Sequence, residues 1–176
     1  EAETGRMLTY GEWNRFGDQL ASYLMRERGL QKGDRIAVLA ESCLEYLILF
    51  SAAQKSGFIL VPLNYRLCAS ELDFMLRDAA PRLVIAEDRF LPLLEAAPHY
   101  GDIPEKWTIP ALWEFCRAAD VRKESAPFPP VQIEENDPLF ILYTSGTTGF
   151  PKGAIYTHKM LFWNSINTAM SLLVNT

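Results

Sequence analysis

The stretch Tyr143-Thr144-Ser145-Gly146-Thr147-Thr148-Gly149-Phe150-Pro151-Lys152-Gly153 carries the residue types best suited to hold an anion. Within residues 144–153 there are three glycines, three threonines, a serine and a lysine. Glycines let successive backbone N–H groups turn toward one centre with no Cβ in the way, which makes a concavity that favours negative charge. The hydroxyls of Ser145, Thr147 and Thr148 can donate further hydrogen bonds, and Lys152 adds a mobile cation. Backbone donors, hydroxyls and one positive charge together describe a cradle for a polyphosphate. The candidate binding residues are Thr144, Ser145, Gly146, Thr147, Thr148, Gly149 and Lys152.

The spacing differs from the common P-loop, which needs Gly-x-x-x-x-Gly-Lys-Ser/Thr opening directly into a helix. Here Phe150-Pro151 separates Gly149 from Lys152, and Gly153 follows the lysine. The apolar run Leu139-Phe140-Ile141-Leu142 leads in, and the β-type run Ala154-Ile155-Tyr156-Thr157 leads out. A strand, a tight polar loop and a second strand are therefore expected. A plain surface hairpin rich in turn formers is the competing reading of such a loop.

The elements that must position this loop follow from periodicity. Thr9 with Glu12 has capping-box spacing, and Trp13, Phe16, Leu20, Tyr23 and Leu24 recur at helical intervals up to Gly29. Arg35–Leu39 reads as a strand. Ser42 with Glu45 suggests a second capping box, opening a helix through Leu44, Leu47, Ile48 and Ala52 that stops at Gly57. Phe58–Val61 is a second strand closed by Pro62. A third helix starts at Ala69 or Ser70 and carries Leu72, Met75, Leu76 and Ala79, and Leu83–Ala86 is a third strand. Leu91, Leu94 and Ala97 suggest a short helix broken by Pro92 and Pro98. Trp107-Thr108-Ile109 is a candidate strand and Ala111–Ala119 a helix. Short apolar strands alternating with amphipathic helices imply an α/β fold with a mostly parallel sheet covered on both faces. After the loop, Thr157 is the expected N-cap of a last helix, with Phe162, Ile166, Ala169, Met170 and Leu173 as its buried stripe.

Residues 120–138 hold four prolines and the acids Glu134, Glu135 and Asp137, which reads as an extended connection. It divides the chain into a first α/β portion, 1–119, and a second, 139–176, holding the loop hairpin and the last helix as the start of another subdomain. The 176 residues are enough for a good core, and nearly half of them are apolar. A net charge of −5 argues against a nucleic-acid footprint. No apolar run is long enough to span a bilayer and no secretory signal pattern is visible, so a cytoplasmic setting is expected. Cys43, Cys68 and Cys116 are widely spaced and odd in number, and are read as free, buried thiols.

The eleven-residue string resembles the phosphate-binding signature of the adenylate-forming superfamily, which includes acyl-CoA synthetases, peptide-synthetase adenylation domains and luciferases. Further similarity runs in order along the chain: Leu8-Thr9-Tyr10-Gly11-Glu12, Lys32-Gly33-Asp34-Arg35-Ile36-Ala37, Val61-Pro62-Leu63-Asn64-Tyr65-Arg66-Leu67, Asn136-Asp137-Pro138 and Thr157-His158. The resemblance implies the large N-terminal domain of such an enzyme and a two-step reaction. A carboxylate attacks the α-phosphate of Mg·ATP, giving an acyl-adenylate and pyrophosphate, and a thiol, usually that of coenzyme A, then takes the acyl group. It further implies that Thr144 touches Mg²⁺, that Ser145 to Gly149 contact phosphate oxygens, and that Lys152 steadies the loop or the departing charge.

In relatives the adenine pocket, a glutamate ligand to Mg²⁺ and a catalytic lysine all lie downstream of this region. The chain is therefore expected to be an N-terminal fragment without the catalytic lysine and inactive by itself. A small carboxylic acid, with a fatty acid favoured, is the expected substrate, and dimerisation through apolar surface is expected. Two other readings stand beside this one: a peptide-synthetase adenylation fragment, and a non-catalytic nucleotide-sensing or protein-interaction domain on the same half-fold. Outside the loop, His158 is expected to pack or cap, His99 has no visible partner, Glu134 to Asp137 read as solvated linker, and Trp107, Trp113 and Trp163 as core or interface anchors.

Overall fold

In the computed structural model, residues 5–121, 130–144 and 151–173 are described. They form one six-stranded sheet in the order β4-β3-β1-β2-β5-β6. The strands are β1 (Arg35–Leu39), β2 (Ile59–Pro62), β3 (Leu83–Ala86), β4 (Glu105–Thr108), β5 (Pro138–Thr144) and β6 (Lys152–Thr157). Every neighbouring pair is parallel except β5 and β6, which form the antiparallel hairpin.

Alternation along the strands divides the core in two, because successive side chains leave a strand on opposite faces. Ile36, Val38, Leu60, Leu83 and Ile85 pack on one face with Phe16, Leu20 and Leu24 of α1 (Tyr10–Arg26) and Ile48, Leu49 and Ala52 of α2 (Leu44–Ser56). Ala37, Leu39, Val61, Val84 and Ala86 pack on the other with Leu72, Met75 and Leu76 of α3 (Ala69–Ala79) and with Leu94 of α4 (Leu91–Glu95). Helix α5 (Ile109–Val121) adds Leu112 and Cys116 to the first face. With apolar residues buried on both sides, β1 and β3 read as unbroken aliphatic runs.

The helix starts show which local signals hold. Thr9 caps α1 as expected, its Oγ1 accepting from the Glu12 N–H while the Glu12 carboxylate accepts from the Thr9 N–H. The Ser42–Glu45 capping box is corrected: α2 is capped at Cys43 without a side-chain bond. Glu45 is fully buried and receives the Arg6 guanidinium instead, at 2.6 and 3.2 Å. Helix α1 ends at Arg26, short of Gly29, whose φ of +66° makes the turn that follows. Gly57 does end α2, at φ +73°, and a Cβ there would come within 2.7 Å of Lys32 Cγ. Pro92 does not break α4; it sits in the first turn, where a missing N–H costs nothing. Ile109 starts α5 and does not extend β4.

The connection before β5 is pinned to the first half of the chain. Lys32 bonds Asp137 Oδ2 at 2.6 Å and the Gln132 carbonyl at 2.8 Å. Strand β5 then lies beside β2 with Leu60 opposite Phe140, so within the described residues both sides of the connection share one sheet. Pro138 lies opposite Thr157 and Phe140 opposite Tyr156, so β5 carries an extra residue, Leu139, at a bulge. The bulge turns Leu139 onto the face of α1 and α2. No helix among the described residues is long and apolar enough to cross a membrane.

Candidate functional site

The antiparallel register sets Tyr143 opposite Gly153 and Thr144 opposite Lys152. Thr144 and Lys152 are thus the last paired residues on either side of segment 145–151, held at the spacing of a β-ladder. Ser145, Gly146, Thr147, Thr148 and Gly149, the central residues of the expected cradle, lie outside the described residues.

Strand β5 is parallel to β2, so Thr144 lies at the carboxyl edge of the sheet, where ligands of open α/β sheets bind. Leu60 lies level with Phe140, which puts Pro62, the end of β2, level with Leu142. Tyr143 and Thr144 therefore project past their neighbouring strand. The Tyr143 ring packs against the core on the α3 face, and its hydroxyl donates to Asp78 of α3. Burial and the Asp78 carboxylate both push the phenol well above its usual range. Gly153 is required by close approach: a Cβ there would meet Ile141 Cγ2 at 2.7 Å and the Tyr143 ring at 3.5 Å.

The far end of the hairpin is fixed by the acidic connection. Thr157 caps α6 (His158–Leu173), its Oγ1 accepting from the Met160 N–H at 3.3 Å. The His158 N–H donates to the Asp137 carbonyl and the Lys159 N–H to the Glu135 carbonyl, while Lys159 Nζ pairs with Glu135 at 2.9 Å. The Lys32 ammonium and the Glu134 N–H hold the Asp137 carboxyl below its usual range. Glu134, Glu135 and Asn136 are exposed, in keeping with a solvated linker, while Glu135 and Asp137 are also tied to Lys159 and Lys32. Burial lowers the His158 imidazole below its usual value against the pull of Asp137, and His158 Nε2 is buried without a hydrogen bond.

Other expectations change as well. His99 has a partner: its N–H and Nδ1 both contact Asp73, at 2.7 and 2.9 Å. Cys116 is buried, but Cys43 is only partly so and Cys68 is exposed at the start of α3. Trp107 and Trp113 pack against the core, whereas Trp163 is 56% exposed. The expected buried stripe of α6 is open, with Phe162, Ile166 and Met170 all exposed. With Tyr156 and Lys159, residues Met160, Trp163, Asn164 and Asn167 of this helix line an open groove of about 520 Å³. Among the described residues no three His, Cys, Asp or Glu side chains gather as a metal site. The Tyr143–Asp78 bond escapes sequence reasoning because its partners are 65 residues apart, although an acid in the last turn of α3 was an available oddity.

Comparison with known proteins bears on this geometry. The family described as "AMP-binding enzyme" matches residues 2–174. The long-chain-fatty-acid–CoA ligase FadD13 of Mycobacterium tuberculosis is 35% identical over all of this chain and 34% of its own length. The fatty acid–[acyl-carrier-protein] ligase ScoC of Streptomyces coeruleorubidus is 37% identical over 90% of this chain and 30% of its own. Among solved structures, the N-terminal domain of FACL13 from Mycobacterium tuberculosis superposes with TM-score 0.77 and 36% identity, covering 89% of this chain and 39% of that one. ATP-bound MatB from Rhodopseudomonas palustris gives TM-score 0.76 and 31% identity, covering 93% and 32%. The chain thus spans about a third of the length of these curated relatives. A mostly parallel sheet ending in this hairpin, matched almost from end to end, places the chain in the AMP-binding enzyme family.

Proposed function

We propose that this chain supplies the phosphate-gripping part of an ATP-dependent acyl-CoA synthetase. In the overall reaction a carboxylate oxygen attacks the α-phosphorus of ATP, the bond to the β-phosphate oxygen breaks, and pyrophosphate leaves. The thiol sulfur of coenzyme A then attacks the acyl carbonyl, AMP leaves, and the thiol proton passes to solvent. The observation that carries the reading is the facing pair Thr144 and Lys152 at the carboxyl edge of the sheet, bracketing the serine, threonines and glycines of 145–149.

In this reading Ser145, Gly146, Thr147, Thr148 and Gly149 direct donors at the β- and γ-phosphates. Lys152 offsets the charge of the departing pyrophosphate, and Thr144 offers its hydroxyl to Mg²⁺. A Mg²⁺ ion is held through one or two protein carboxylates, substrate phosphates and retained water, and the Thr144 hydroxyl would add one oxygen to such a set. Such a step depends mainly on positioning and electrostatic stabilisation. A fatty acid is the favoured substrate, in keeping with the names of the ligases FadD13 and ScoC.

The test is carboxylate-dependent exchange of labelled pyrophosphate into ATP by the complete polypeptide that carries this chain, followed by thioester assay with coenzyme A. Long-chain acids are expected to drive exchange and to end as CoA thioesters. Thioester on a carrier protein with none on coenzyme A would move the acceptor to the carrier. ATP binding without exchange for any aliphatic, aromatic or amino acid would leave a nucleotide-sensing domain.

A further inference from the structure

Strand β5 delivers Thr144 to the loop from a length of backbone that β2 no longer accompanies, since β2 ends level with Leu142. On that overhang the hairpin is supported by β6 on one edge and by one side chain below, Tyr143. Its ring lies beside Gly153 across the ladder, at an ordinary 3.5 Å from where a Cβ would stand, and its hydroxyl crosses to Asp78 on α3. Asp78 is itself oddly placed. It lies in the last turn of α3, where the partial negative charge of the helix end disfavours a carboxylate. A residue that breaks a local rule points to a compensating contact elsewhere, and here that contact is the Tyr143 hydroxyl.

We propose that Tyr143 and Asp78 form a brace that fixes where β5 hands the chain to the phosphate loop, making Tyr143 a positioning residue for nucleotide binding. The inference rests on the ATP-dependent reading above. Tyr143 touches no phosphate in it; it acts through Thr144, its neighbour, and through Gly153 and Lys152 across the ladder. Without the hydroxyl bond the ring can swing, and the mouth of the hairpin no longer holds one geometry.

The test uses the complete polypeptide and reads pyrophosphate exchange, with the KM for ATP separated from kcat and the melting temperature measured in parallel. Tyr143→Phe keeps the ring and removes only the hydroxyl. It is expected to raise the KM for ATP about 5- to 10-fold, the scale of one net hydrogen bond at an exposed pair, with kcat within about twofold. Asp78→Ala should do the same. Asp78→Asn, whose amide oxygen still accepts from the phenol, should keep KM within about threefold of the unaltered protein, since a neutral acceptor is weaker than a charged one. The double variant Tyr143→Phe/Asp78→Ala should be no worse than either single one. An unchanged KM in Tyr143→Phe with a lowered melting temperature would make the tyrosine a packing residue and overturn the proposal. Additive losses in the double variant would overturn it equally. No exchange by the unaltered protein would instead defeat the functional reading, and the brace with it.

Discussion

At the scale of single residues, the phosphate reading ranks the loop positions. Three or four hydrogen bonds to a charged ligand at about 1.5–3 kcal/mol each outweigh one exposed ammonium, whose attraction at 4 Å is about 1 kcal/mol in water and about 4 near a protein surface. Gly149→Leu, which blocks amide donors, is therefore expected to reduce exchange activity more than Lys152→Ala. Steady-state rates of the two variants check the order, and a larger loss from the lysine change would reverse it. The thiols give a second residue-level prediction. Burial pushes Cys43 and Cys116 up to about 12, leaving almost no thiolate at neutral pH, whereas Cys68 is exposed. One thiol per chain, Cys68, should react with a maleimide before denaturant is added, and peptide mapping identifies it. Labelling at buried Cys116 in the folded protein would contradict the packing described, as would labelling at half-buried Cys43 as fast as at Cys68.

At the scale of elements, what sequence could show depended on how local the cause was. Arg35–Leu39 and Leu83–Ala86 were legible to the residue because aliphatic runs bounded by Gly33-Asp34 and Pro81 leave little choice. Thr9–Glu12 was legible because both partners lie within one turn. Ser42–Glu45 had the same spacing and misled: the buried Glu45 answers to Arg6, 39 residues away, and no local pattern carries that. Truncating Arg6 leaves a carboxylate with 0% exposure short of its ion pair. Because the arginine side chain is itself 31% exposed, Arg6→Ala should cost about 3 kcal/mol, the low end for a buried pair. Urea melts measure this, and Glu45→Gln, which removes the charge as well as the pair, should cost less than Arg6→Ala. The pairing of α3 with the turn at His99 is pH-sensitive in a defined direction. The His99 N–H holds the Asp73 carboxyl below its usual range. A carboxyl lowered by folding stabilises the native state above its unfolded value, about pH 4, and that share is lost as pH falls through the folded value. Melting curves of the unaltered protein and of Asp73→Asn should therefore differ at pH 7 and converge in acid.

At the scale of the whole molecule, α6 shows where sequence reading stopped. Its apolar spacing was plain, yet Phe162, Trp163 and Met170 are 58, 56 and 62% exposed, so the pattern exists but nothing among the described residues covers it. Ile155 of β6 is open too, at 58% exposure, beside Ile141 on the opposite face of the sheet. The 176-residue chain taken alone is expected to bind a hydrophobic dye and to self-associate, since a contiguous patch of this kind is uncommon on a stable monomer. Trp163→Lys with Met170→Lys should reduce both, read by dye fluorescence and light scattering. A monodisperse, dye-free chain would show that the surface is better covered than these residues indicate. The division of the sequence at 120–138 can be tested in the same preparation, by limited proteolysis within 122–129.

The ladder between β2 and β5 has one register pair, whereas β1 meets each neighbour through four. The backbone ladder thus has a seam, with the β5–β6 hairpin on one side and a block of four strands, β4, β3, β1 and β2, on the other. Deuterium should enter the amides of 139–144 and 152–157 together and early, while β1 and β3 stay protected until the entire protein opens. ATP, gripping the loop at the tip, would slow that early phase alone, so the same experiment reads ligand capture as a stitch closing the seam.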